Sequence, residues 1–145
     1  MVERSSAIIT PAKPPDHDIA VEPFEKFQQF IQVPQICGVV SEVVRILDQR
    51  VGVAPLDIEQ VAKELNLSKR TLQRHLHKRG NSFVELRDKV RFRHAMVCLL
   101  EKHMSIESTA SYLHFSDRTS FTNSFKRWSG YSPSTFRKIY RGNSV

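Results

Sequence analysis

The chain has 145 residues, 40% of them apolar, which is enough for one modest core and too many for wholesale disorder. Two cysteines, Cys37 and Cys98, each in an apolar stretch, exclude a disulfide scaffold and suit a reducing cytosol, and the longest apolar run, Ala95 to Leu100, cannot span a membrane. The net charge of +7 is divided: residues 1–68 carry 6 Lys/Arg against 10 Asp/Glu, and residues 69–145 carry 16 against 5, so the second half asks for a polyanion such as DNA or RNA unless it is merely a solvated basic face.

Pro11, Pro14, Pro15 and Pro23 interrupt a start with little periodicity, and residues 1–34 read as a flexible Pro-rich tail or linker. Inside it, Phe24, Phe27 and Ile31 at helical spacing suggest a short amphipathic helix that either serves a partner or packs back on the core. From Gln35 to Arg50, Ile36, Val39, Val40, Val43 and Leu47 follow a 3–4 spacing and predict a helix, which Gly52 and Pro55 end. Asp57 offers an N-cap, with Gln60 three positions later as its capping-box partner, for a helix from Ile58 to Leu65. Asn66 suits the left-handed backbone of a tight turn. Ser68 then caps a helix that buries Leu72 and Leu76, and Gly80 stops it.

Ser82 and Glu85 form a second capping box, opening a long helix over about 82–101 through Phe83, Leu86, Val90 and Val97. Ser105 caps Ile106 to Leu113. Ser116 is expected to cap a helix to Trp128 that buries Phe121, Phe125 and Trp128, closed by Gly130. Ser132 followed by Pro133 starts a last helix through Phe136 and Tyr140. No strand signal of any strength intervenes. The fold class is therefore all-α, with about seven helices in one domain over residues 35–145.

A phrase in this domain is written twice. Ile58, Glu59, Ala62, Leu65, Ser68, Arg70, Thr71, Lys78 and Arg79 recur at the same spacing as Ile106, Glu107, Ala110, Leu113, Ser116, Arg118, Thr119, Lys126 and Arg127. Each copy is a short helix, a tight turn and a second helix rich in basic and amide side chains. That outline describes two helix-turn-helix units, at about 57–79 and 105–129, joined by the long bridging helix. A second helix of this kind fits the major groove of DNA, and its N-terminus favours phosphate. The bridge, at roughly 20 residues and 1.5 Å each, is about 30 Å long, near the roughly 34 Å between adjacent major-groove segments on one face of B-DNA.

The inward positions of each second helix decide what is left outward. In the first, Lys69, Arg70, Gln73 and Arg74 are candidate base contacts, and Ser68, Thr71, His77 and Lys78 candidate phosphate contacts. In the second, Arg118, Thr119, Thr122 and Asn123 are the base candidates, with Ser116, Lys126 and Arg127 for phosphate. Arginine reads guanine bidentately, glutamine and asparagine read adenine, and a threonine methyl can touch thymine. A solvated polar face explains one such helix as well as DNA does; two matched copies favour the groove reading.

These residues resemble the DNA-binding domain of the AraC/XylS family of bacterial transcription regulators over about residues 35–141. The first unit carries Val61, Ala62, Leu65, Ser68, Arg70 and the run Thr71 to Arg74; the bridge carries Arg91, Ala95, Leu99 and Leu100. The second unit is the more diagnostic, with Ala110, Leu113, Phe115, Ser116, Asp117, Ser120, Phe121, Phe125, Lys126, Arg127, Gly130, Ser132, Pro133, Phe136 and Arg137. His114 stands where the family commonly has glycine, and Asn66 takes the equivalent place in the first turn. The resemblance implies sequence-specific binding to promoter double-stranded DNA and, usually, activation through RNA polymerase, in the bacterial cytoplasm. Many members add an N-terminal effector or dimerisation domain, for which residues 1–34 are too short. The chain then reads as a stand-alone regulator or the C-terminal part of a longer one.

Other chemistry finds little support. His94 and Cys98 lie one helical turn apart, a metal-capable pair without further ligands, where zinc normally takes three or four protein ligands. His75 and His77 point in different directions on their helix. No Gly-rich phosphate loop and no nucleophile–base pair stands out, so the expectation is a non-enzyme without cofactor or membrane partner. The competing function is a family member that keeps the fold but acts through protein contacts with a regulator or RNA polymerase.

Overall fold

The computed structural model describes residues 23–31 and 38–141. Among them are eight α-helices and one π-helical segment, with no strand. Helix α1 spans Phe24–Ile31, α2 Val39–Arg50, α3 Ile58–Glu64 and α4 Lys69–Lys78. The bridge begins as α5, Phe83–Met96, and continues as a π segment, Val97–Glu101; α6 (Ile106–Tyr112), α7 (Arg118–Ser129) and α8 (Pro133–Tyr140) follow.

Most of the helix starts follow from short polar side chains that accept a hydrogen bond from an otherwise orphaned amide of the first turn. Asp57, Ser68, Ser82, Ser105 and Ser132 all cap in this way. The box at Ser82 is complete: Glu85 N–H donates to Ser82 Oγ at 3.1 Å, and Ser82 N–H donates to Glu85 Oε1 at 3.2 Å. Asp57 caps differently from the expected box, accepting from the Glu59 amide two residues on rather than pairing with Gln60. Helix α2 starts later than the periodicity suggested. Gly38, at φ 109°, turns the chain immediately before Val39, and the expected start at Gln35 to Cys37 lies outside the described residues.

The bridge is the centre of the molecule. Helix α5 packs against both α1 and α2, and its π continuation against α6 and α8. Phe92, fully buried on α5, meets Phe27 and Phe30 of α1, Phe125 and Trp128 of α7, and Phe136 of α8, with ring centroids 5.4–6.4 Å apart. Edge-to-face and tilted pairs of this kind add to the burial of the rings themselves. Helix α1 therefore packs back on the core: Phe27 is 1% exposed and also touches Phe136 and Tyr140. The stretch set apart in the sequence as tail contains an element of the domain's core.

Only the first 14 residues of the bridge are α-helical, about 21 Å at 1.5 Å per residue. The expected unbroken helix to residue 101 is corrected at Val97, where the coil widens and buries Cys98, Leu99 and Leu100 in succession. The carbonyls of this widened stretch and of the loop after it are held from α8. Arg137 Nε donates to Leu99 O at 3.0 Å, and Arg137 Nη2 donates to Met104 O.

His94 is occupied in the bridge. Its Nε2 lies 3.0 Å from Asp48 Oδ1 on α2, and Arg93 pairs with the same oxygen. Cys98 is a buried free thiol, pushed up by burial. No described helix is long and apolar enough to cross a membrane.

Candidate nucleic-acid interface

Two helix-turn-helix units carry the candidate residues, and their turns are closed by matching backbone bonds. In the first, Asn66 N–H donates to Lys63 O (3.0 Å) and Leu67 N–H to Ala62 O (2.9 Å); in the second, His114 N–H donates to Ser111 O (3.0 Å) and Phe115 N–H to Ala110 O (2.9 Å). These two bonds of the first turn thus have their counterparts in the second, in the register that sets Ile58 against Ile106. Asn66 and His114 sit at φ 59° and 65°, so histidine fills the left-handed position as asparagine does. Arg91, from the bridge, fastens the second turn. Its Nε donates to Leu113 O at 3.0 Å, its Nη2 to His114 O at 3.1 Å, and its guanidinium lies 4.3 Å from the Phe115 ring centroid.

After the turns the two copies slip against each other by a single position. Helix α4 is capped by Ser68, whose Oγ accepts from Thr71 N–H at 3.1 Å and donates to Thr71 Oγ1 at 2.9 Å. Helix α7 is capped not by Ser116 but by Asp117, whose carboxylate accepts from Ser120 N–H at 2.7 Å. That bond holds the Asp117 carboxyl below the usual aspartate range. Ser116 stays in the turn, its hydroxyl 3.3 Å from that of Ser120. The expectation of a Ser116 cap fails because the second turn is longer by that serine, and only the next side chain reaches the first-turn amides.

From the caps onward the register is the one that sets Ser68 against Asp117. Leu72 and Leu76 match Phe121 and Phe125, all fully buried. Outside, Lys69, Arg70, Gln73 and Arg74 match Arg118, Thr119, Thr122 and Asn123, and His77 and Lys78 match Lys126 and Arg127. Among these outward side chains Thr122 is half-buried and the others are exposed. Lys69 Nζ stands 4.0 Å from Glu59, a loose surface pair.

An open groove of about 680 Å³ runs beside α4 and gathers Lys69, Arg70, Gln73, Arg74 and His77. Its other wall comes from the start of the bridge, with Ser82, Val84 and Arg87, and from Leu56 to Ile58. A smaller one, about 300 Å³, places Arg118, Thr119 and Thr122 beside Ile106 and the start of α8 at Ser132 to Ser134. Asn123, Lys126 and Arg127 do not line that groove. Sequence reasoning saw Ser82 and Ser132 as helix caps but not as neighbours of the two basic helices. Their proximity arises from packing between elements, and no local pattern announces it. Arg87 was missed altogether.

The described residues bring no three of His, Cys, Asp and Glu together. What the surface offers is cationic and amide hydrogen-bond donors on two exposed helix faces, each flanked by another helix N-terminus whose free amides favour anions.

A family profile described as "Helix-turn-helix domain" matches residues 61–139, more than half of the chain and both units together. The chain belongs to the AraC-type helix-turn-helix family. This AraC-type domain is 37% identical over 101 residues to the ornithine utilization regulator of Pseudomonas aeruginosa, a match covering 70% of the chain and 30% of that protein. It is 33% identical over 105 residues to the Msm operon regulatory protein of Streptococcus mutans, covering 72% and 37%. The chain thus spans about a third of the length of these relatives. Its fold is similar to the crystal structure of the transcriptional regulator CdpR from Pseudomonas aeruginosa, with TM-score 0.65 and 32% identity over 70% of the chain and 32% of that one. It also resembles the C-terminal domain of AraT, a response regulator from Geobacillus stearothermophilus, with TM-score 0.65 and 26% identity over 73% and 88%. An AraC-type domain is a DNA-binding module of transcription regulators.

Proposed function

We propose that this AraC-type domain recognises promoter DNA in a sequence-specific way, with α4 and α7 inserted into adjacent major-groove segments, and that it activates transcription through contact with RNA polymerase in the bacterial cytoplasm. The observation that carries the DNA mode is the position-by-position correspondence between the exposed sets of α4 and α7. Lys69, Arg70, Gln73 and Arg74 read bases on one side; Arg118, Thr119, Thr122 and Asn123 read them on the other. Ser68, Thr71, His77, Lys78, Ser116, Lys126 and Arg127 take the phosphates. Because the two sets differ, a single chain reads an asymmetric site. Effector binding or dimerisation belongs to a further N-terminal domain of the kind that the longer relatives have length for.

Sites selected from random duplex DNA supply the test. Two dissimilar half-sites about one helical turn apart are expected, with selected duplex bound at least a thousandfold tighter than random duplex, and with affinity falling steeply between 50 and 200 mM salt. Equal affinity for all duplexes overturns the proposal and leaves the protein-contact function in its place.

A further inference from the structure

Arg87 lies on the bridge, outside both readers, yet it lines the groove that holds Arg70, Gln73 and Arg74. Its surroundings are over-supplied with positive charge. Asp88 is the carboxylate on which Arg87, Arg91 and Arg127 all act. Arg91 is committed to the Leu113 and His114 carbonyls and to the Phe115 ring. Burial, and then the repulsion from Arg87, pull the Arg91 guanidinium down to about 10, so it remains charged at neutral pH.

Arg87 itself has no such commitment. Its closest ion pair is a long one, Nη2 to Asp88 Oδ1 at 3.9 Å, and its Nε is buried without a hydrogen-bond partner. The side chain is nevertheless 29% exposed and lines the groove, so an acceptor can reach the guanidinium from the groove side. A phosphate of DNA backbone seated against α4 would be such an acceptor, and the planar fork of an arginine matches its oxygens.

We infer that Arg87 is a DNA-phosphate contact supplied by the bridge itself, so that the element joining the two readers also grips the backbone between them. The inference rests on the DNA-reading function proposed above. It predicts a sequence-independent contribution, unlike those of the base-reading side chains.

The test measures binding of the full chain to a selected duplex and to random duplex, across 50–200 mM salt, for the wild type, Arg87→Gln and Arg87→Lys. Arg87→Gln should weaken both duplexes by the same factor, roughly tenfold at low salt, as expected for loss of one charged hydrogen bond. It should also reduce the slope of log K against log salt by about 0.9, the value of one neutralised phosphate. Arg87→Lys should keep the slope. An unchanged slope in Arg87→Gln, or a loss in Arg87→Lys as large as that in Arg87→Gln, overturns the inference while salt-dependent wild-type binding leaves the DNA function standing. Salt-insensitive binding by the wild type overturns both. Thermal unfolding of each variant shows whether the fold is intact, and a folded Arg87→Lys protein suffices to decide the question.

Discussion

Tyr112 lies directly over Gly52, its ring occupying the space that a β-carbon at residue 52 would need. Gly52 follows α2 in the first half, and Tyr112 ends α6 in the second. The pair is a contact between the two halves that does not run through the bridge, and Lys102 Nζ stands 5.9 Å from the same ring. Gly52 is also at φ 80°, a left-handed conformation that costs an L-residue about 1–2 kcal/mol. Gly52→Ala should therefore destabilise the domain by more than this backbone cost. Tyr112→Ala should relieve the excess, giving a coupling of about 1 kcal/mol or more in a double-mutant cycle by urea unfolding. Additive effects would show that the two residues do not press on one another.

The same contact bears on DNA reading. If it fixes how α4 and α7 face the duplex, Tyr112→Ala should tolerate a one-base-pair change in half-site spacing that the wild type penalises. Competition binding with spacing variants of a selected site measures this, and equal penalties in both proteins would remove Tyr112 from that role.

Arg91→Lys should cost about 2 kcal/mol, the range of a hydrogen bond to a charged group. A lysine cannot hold the Leu113 and His114 carbonyls with one planar fork while lying flat on Phe115. Amide exchange should accelerate at His114 and Phe115 first, whose turn the arginine fastens. A uniform acceleration throughout the domain would mean that the effect is global.

Phe92→Ala should be the most damaging core substitution, at about 3–5 kcal/mol, since one ring joins α1, α5, α7 and α8. Against a typical total of roughly 5–15 kcal/mol, denaturant unfolding should show a much lowered midpoint. A loss similar to that of a peripheral apolar residue would contradict the central position of this side chain.

Asp117 gives a pH dependence of defined sign. The Ser120 amide bond, first among the causes, lowers its carboxyl pKa in the folded chain. Its contribution to stability is thus fully present above the unfolded-state aspartate value and is lost as pH falls through the lower folded value. Asp117→Asn, which can still cap, should flatten the decline of Tm on the acid side relative to the wild type. An identical decline in both proteins would exclude the charged cap as its source.

On the proposed function, base and phosphate roles should separate in binding. Arg74→Ala should relax the preference at one base position and cost about 1–3 kcal/mol, whereas Lys126→Ala should weaken all sequences alike. A footprint of identical changes from both substitutions would show that the two side chains do the same work.

Much of this protein was legible from local signals. The caps at Ser68, Ser82, Ser105 and Ser132, the left-handed position at Asn66, and the apolar spacing of Leu72, Leu76, Phe121 and Phe125 depend on residues within one or two turns of each other. For that reason the all-α architecture and the two outward faces could be read from the chain alone. Phe92 was not, because the bridge is covered from several sides and no single stripe of 3–4 spacing picks it out. The same holds for Phe30, which becomes core only because α1 lies on the bridge.

Sequence by itself determined the repeat, the helices and the outward chemistry of α4 and α7, since capping and burial of one face are decided within a helix. The slip of one position was legible in the apolar spacing, which sets Leu72 and Leu76 against Phe121 and Phe125 and places the slip after Thr71 and Thr119. The structure places it earlier, at the caps. Ser116 matches Ser68 in sequence, yet Asp117 does its work, because that is the side chain which reaches the amides of α7. Tertiary structure alone decided the closeness of Arg87 to Arg70 and Arg74, and of Tyr112 to Gly52. The members of these pairs belong to different elements, and only the packing of α5 among all its neighbours brings them together.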